Sequence, residues 1–289
     1  MKDPTQKGGG DDFVVFPSNP MEPAYFIDSV KDILATLKSA EIKSRKLEHE
    51  SNEAFAIRVA LSSYSIKSAL FRKNTKADAA RISAWIGLVR EASLKESLSS
   101  QISFNNDFGI ADVGLVAQLS RDPEHLSMLR EFLRDEYGII MTLERAFTSM
   151  HMDGCAFRLE NGVPVVALTL RYERYDYFWF TLLHELAHVA LHYQQLIDPI
   201  FEDLSEDSEE IVEIEANRLA FDSLISRADA RRFFRQGYIS NADQLREEAA
   251  RLDIHPAILA GLYRFHVKRY DLFSSVGQEL NVRAIFGMQ

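Results

Sequence analysis

Apolar residues recur along this chain mostly at three- and four-residue spacing and only briefly at two, which predicts an α+β protein that is mainly α-helical. Phe26, Val30, Ile33, Leu34 and Leu37 share one face of a helix predicted from Pro23 to about Glu50, whose far half is a solvated Lys/Glu run. A second helix is predicted over about Asn52 to Phe71. A third, about Asp78 to Leu98, buries Ile82, Trp85, Ile86 and Val89. Residues 100–112, rich in Ser, Gln, Asn, Asp and Gly, read as a loop between domains. A helix over 122–137 follows, with Leu126, Leu129, Phe132 and Leu133 inward, and then a short strand, Gly138 to Leu143.

The pattern next shortens to that of a hairpin. Cys155 to Leu159 and Val163 to Leu170 are strand-like runs joined across Glu160-Asn161-Gly162, and Asn-Gly is a strong hairpin turn. The tyrosine-rich stretch Arg171 to Tyr177 leads to a long helix for which Asp176 is the expected N-cap. Residues 197–210 read as an acidic loop without the central glycine and ligand spacing of a calcium site. A second amphipathic helix, Ser208 to Leu224, has Ile211, Ile214, Leu219, Ala220 and Leu224 on its apolar side. Two short helices within Asn241 to His266 meet near Leu252-Asp253. Glu247 and Glu248 there argue for packing rather than phosphate contact, and His255 beside Pro256 reads as a helix cap.

The chemistry concentrates in the long helix. Phe178 to Tyr193 contains His184-Glu185-Leu186-Ala187-His188, an H-E-x-x-H pentapeptide, and no Gly or Pro interrupts residues 176–193. Histidines four apart lie on one helical face about 5–6 Å apart, near enough for both imidazoles to bind one Zn²⁺. Glu185, one position round, would then point at the metal's remaining position as a general base. A third ligand is expected from the following helix, which carries Glu213, Glu215 and Asn217. Glu213 and Asn217 are four apart, so one can bind metal while the other hydrogen-bonds a ligand histidine; Glu215 is the reserve candidate. His192 continues the histidine stripe and reads as a residue behind the ligands or in the cleft. Either His192 or Tyr193 is a candidate for steadying an oxyanion.

Phe180-Thr181-Leu182-Leu183-His184-Glu185-Leu186-Ala187-His188, followed by Glu213-Ile214-Glu215-Ala216-Asn217-Arg218-Leu219-Ala220, resembles the ImmA/IrrE family of metallo-endopeptidases, which are gluzincin-like. The resemblance spans roughly residues 138 to 285. Ala187 stands where a glycine is common in that family, and Ser226-Arg227 where Met-Pro is usual. It implies a zincin-like domain with a small antiparallel sheet, Zn²⁺ ligands His184, His188 and Glu213, and Glu185 as catalytic base. It also implies that Val165, Val166, Ala167 and Leu168 form an edge strand that pairs with extended substrate. Relatives of this kind cut transcriptional regulators, often in toxin–antitoxin or stress loci. The expected partner is therefore a cytosolic regulatory protein encoded nearby in a bacterium.

Bulk properties narrow the alternatives. The implied layout over 289 residues is a polar tail at 1–20, a helical recognition or regulatory region at 21–115 and the peptidase domain at 116–289. Single Cys155 excludes an internal disulfide framework and suits a reducing, cytoplasmic setting. No apolar run approaches the ~18 residues of a membrane span, and the first ten residues lack the apolar core of a secretory signal. Formal net charge is −10, which disfavours a nonspecific hold on nucleic acid. Lys67, Arg72, Lys73, Lys76 and Arg81 cluster locally, but no helix-turn-helix matches residue by residue. The alternative function is a DNA-binding or sensory transcriptional regulator that keeps a non-proteolytic zinc site.

Overall fold

The computed structural model describes residues 14–15, 23–64, 70–71, 76–197, 200–202, 211–235, 239 and 241–288. The chain divides into two compact units, Met1–Gly87 and Leu88–Gln289. In the first, β1 (Val14–Val15) pairs antiparallel with β2 (Leu70–Phe71). The rest of the expected tail, and Lys67, Arg72 and Lys73 of the basic cluster, lie outside the described residues. Helices α1 (Pro23–Thr36), α2 (Ser39–Lys43), α3 (Asn52–Tyr64) and the start of α4 (Lys76–Ser99) bury Ile33, Leu37, Ile42, Phe55, Val59 and Trp85.

The single helix expected up to Glu50 is instead broken after Thr36. Lys38 is extended and its N–H donates to the Glu41 carboxylate at 3.1 Å, while the Leu47 N–H donates to Glu50 at 2.9 Å. Polar side chains thus offer the backbone local partners that compete with a continuous helix, and the turn drops Ile42 into the core. The second predicted helix does not run to Phe71, because Leu70–Phe71 is strand β2; α3 is described to Tyr64, and residues 65–69 lie outside the described residues.

The second unit is built on a four-stranded sheet in the order β3-β5-β4-β6: β3 (Ile140–Leu143), β4 (Gly154–Arg158), β5 (Pro164–Leu168) and β6 (Ile200–Glu202). It is mixed rather than antiparallel, because β3 runs parallel to β5 with Ile140 opposite Val165. β4 pairs antiparallel with β5, Cys155 opposite Ala167, across the expected Asn161-Gly162 turn, where Gly162 takes a φ of +86°. Val165 to Leu168 are therefore central, with both backbone edges occupied, and cannot pair with substrate as an edge strand would. Their unbroken apolar run, buried on both faces, is the signature of a central strand. β6 lies within the stretch read as an acidic loop.

Further helices of the second unit are α5 (Ile110–Gln118), α6 (Leu129–Tyr137), α7 (Tyr175–His192), α8 (Ile211–Leu224), α9 (Arg227–Arg235), α10 (Ala242–Leu252), α11 (Pro256–Val267), α12 (Ser274–Gln278) and α13 (Val282–Ile285). α5 begins inside the segment read as a loop, its first turn fixed by the Gly109 N–H bonding Asp112 at 2.9 Å. The predicted 122–137 helix is a 3₁₀ turn, Pro123–Met128, followed by α6, which stops at Gly138 in the left-handed region. α7 packs against the sheet, α5, α8 and α11. α8 meets expectation in part: Ala220 and Leu224 are buried and Leu219 packs on the core, but Glu213 and Ala216 share that face while Ile211 and Ile214 are exposed. Ser226, one of the departures from the family pattern, caps α9 by accepting from the Asp229 N–H at 3.1 Å.

The α10–α11 pair packs rather than presenting a free recognition helix, with Ile258, Leu259, Leu262 and Tyr263 buried. His255 caps α11 as expected, accepting from the Ala257 N–H at 3.2 Å. Asp176 does not cap α7, because extended Arg174 holds the cap position. Asp176 sits in the first turn, paired with Arg174, and accepts from buried Arg264 of α11 at 2.8 Å. Gly261 makes this approach possible, since a Cβ there would lie 2.4 Å from Asp176 Oδ2. Among the described residues no helix is long and apolar enough to cross a membrane.

Removing one partner of a buried pair strands the other charge. Asp176→Ala should therefore cost about 3–5 kcal/mol in chemical denaturation. A loss of well under 1 kcal/mol would show that the α7–α11 pair is solvated instead.

Candidate metal centre

α7 is apolar almost all round, which is why it is buried, and its polar residues must find partners inside the protein. His184, Glu185 and His188 are each 0% exposed. His184 Nε2 and His188 Nε2 stand 2.9 Å apart, and Glu213 Oε2 of α8 is 3.1 Å from the first and 3.6 Å from the second. Ligand atoms around a tetrahedral zinc ion, each about 2.0–2.1 Å from it, would stand about 3.3 Å from one another. The three observed separations bracket that value, and the donor set of two imidazoles and a carboxylate suits a divalent cation.

The remaining ring nitrogens are held from behind. His184 Nδ1 lies 3.1 Å from Asn217 Oδ1, an atom that can only accept, so Nδ1 carries the proton and the Nε2 lone pair faces the cluster. Glu213 thus reaches the centre while Asn217, one turn on, orients a histidine. His188 Nδ1 lies 3.1 Å from His192 Nδ1, and His192 Nε2 lies 3.1 Å from Glu215 Oε2. Glu215, the reserve ligand, is therefore not at the centre but at the outer end of this relay. Burial holds the His188 imidazole down to about 4, against the opposing pull of Glu213, which keeps it neutral and able to ligate at neutral pH.

Neither oxyanion candidate stands where one would form. His192 is behind His188. The Tyr193 hydroxyl donates to Gly162 O at 2.6 Å, at the hairpin turn, and its ring packs on Phe104 and Arg158. Four residues of β4, about 13 Å of strand, separate that turn from Gly154.

Gly154 is a site residue that the sequence pattern does not single out. A Cβ there would lie 2.6 Å from Glu185 Oε1 and 3.1 Å from Ala167 O, so only glycine lets β4 cross so close to the glutamate. The available signal is a glycine opening an apolar strand run. The neighbouring Cys155 thiol is pushed well up by burial and by the charge of Glu185. Just before them, buried Asp153 accepts from the Tyr177 hydroxyl at 2.9 Å and pairs with Arg171 at 3.1 Å, absorbing part of the Tyr/Arg stretch into structure.

Residues 137–252 match a peptidase family described as the IrrE N-terminal-like domain, a span that contains both α7 and α8. No curated protein matches the chain.

The depressed His188 value makes a prediction about the metal-free protein. Its folded value of about 4 lies below the ordinary 6.5, so between the two the unfolded chain binds more protons. This contribution is complete above pH 6.5 and is lost as pH falls toward 4, up to roughly 3 kcal/mol. Denaturation of chelator-treated protein across that window should show the slope, and His188→Gln should flatten it. An equal slope in both proteins would contradict the assignment.

Proposed function

We propose, from the match of residues 137–252 to the IrrE N-terminal-like peptidase domain, that the protein is a zinc-dependent endopeptidase that cuts a specific cytosolic regulatory protein. The observation that supports this best is the convergence of His184, His188 and Glu213 beside a fourth buried side chain, Glu185, which no ligand role requires. His184, His188 and Glu213 would hold the ion, with Asn217 and the His192–Glu215 pair fixing the two rings from behind. A zinc ion so held supplies Lewis acidity, acidifying water and polarising a carbonyl.

The protein supplies the rest. Glu185 accepts the proton of the attacking water and returns it to the leaving amine. Gly154 leaves its carboxylate room beside β4, and the apolar walls of α7 and the sheet keep bulk solvent from competing for that proton.

Glu185→Gln preserves shape and removes the base. This variant should keep its metal and retain its substrate uncut, so that the protein co-purifying with it can be identified. Zinc-loaded wild type should cleave that protein at a rate at least ~10²-fold above the variant. Equal cleavage by both would exclude Glu185 as the base, and no cleavage by either would exclude the peptidase reading.

A further inference from the structure

One edge of the sheet passes directly beside Glu185, and it is covered by the chain itself. β4 pairs on one side with β5 and on the other with β6, Gly154 opposite Glu202, Cys155 opposite Phe201 and Ala156 opposite Ile200. Successive backbone groups of a strand point to alternate sides. The Leu159 N–H donates toward β5, to Val163 O at 2.9 Å, and the Asp153 carbonyl accepts from Thr169 at 2.9 Å. The Arg158 N–H points the other way, to Leu196 O at 2.8 Å. By alternation the N–H and C=O groups of Gly154 and Ala156 face β6, and Glu202 and Ile200 are their hydrogen-bonding partners.

Those groups belong to the strand whose glycine lies against the Glu185 carboxylate. A peptide laid in extended form across the centre would pair with the same row, since β5 already holds the other. A single row cannot serve two strands at once. β6 is also short, three residues, and lies in the connection between α7 and α8, the two helices that bring His184, His188 and Glu213 together. Its release from β4 would require neither helix to unfold.

We propose that β6 is an in-cis occupant of the peptide-binding edge of β4: Ile200–Glu202 lies where a substrate backbone lies and must leave before substrate enters. The inference rests on the peptidase reading for its biological meaning, but its physical content is competition for one strand edge. An edge closed in this way would keep a protease that shares a compartment with many proteins from accepting extended segments indiscriminately.

The test is residue-resolved hydrogen exchange on the full chain carrying Glu185→Gln, so that nothing is cut, with and without Ile200→Pro and Glu202→Pro. Proline removes the two β6 N–H groups that face β4. The probe is a synthetic peptide copying residues 196–206 of this chain. The two prolines should speed exchange at Gly154 and Ala156 on the order of tenfold or more, while Cys155 and Phe157, bonded toward β5, stay protected. The added peptide should restore protection in the proline variant and add none to the parent. Unchanged exchange in the proline variant, failure of the peptide to protect it, or equal protection of both proteins would overturn the inference. None of these readouts involves cleavage, so a protein that showed the expected exchange but cut nothing would keep this inference and lose the peptidase reading.

Discussion

Two imidazole nitrogens and a carboxylate oxygen held within 3.6 Å of one another in the buried interior are the constraint on which the second unit depends. Lone pairs brought this close repel unless a cation or a proton lies among them, and each buried polar group must also be satisfied from its far side. Asn217 and Glu213 come from α8, and the His192–Glu215 relay spans both helices, so α7 and α8 must pack in one register. Small residues allow it: Ala187 on α7 and Ala216 and Ala220 on α8 are fully buried, which lets the helices approach closely enough for a glutamate to reach across. At its N-terminal end α7 is fixed by Asp176 against Arg264, and along its length by the sheet and α5.

Much of this centre is legible in the amino-acid sequence, because its chemistry is written in helical spacing. His184 and His188 are one turn apart, and so are Glu213 and Asn217. That period alone limits which of them can meet. Spacing already sets Glu213 and Asn217 ahead of Glu215, and the fold places Glu215 on His192. The hairpin is legible because Asn161-Gly162 is a turn with a local cause. Less accessible is anything decided by long-range pairing. Val165 to Leu168 form a central strand rather than the expected edge, and their apolar run without alternation is the one local sign of it. Asp176 and Tyr193 have the right chemistry for a cap and an oxyanion donor, yet Arg264, 88 residues away, and Gly162, 31 residues back, claim them. Local pattern cannot rank a local role against a distant partner. Ile211 and Ile214 depart from expectation for a related reason, since the buried face of α8 is the one that carries Glu213, Ala216, Ala220 and Leu224.

The sheet is more than a platform for α7. Gly154 brings β4 to the Glu185 carboxylate at a distance no other residue permits, and β6 closes the remaining edge of that strand. β6, which lies between α7 and α8 in the chain, holds the edge of β4 that we propose a peptide would use.

If His184, His188 and Glu213 form one divalent-cation site, metal content and affinity test it most directly, measured by competition with a chromophoric chelator. One zinc ion per chain is expected in the wild type and, in Glu213→Gln, an affinity weakened on the order of hundredfold or more. A wild type that binds no zinc, or a Glu213→Gln protein that binds it as tightly as the wild type, would contradict that site.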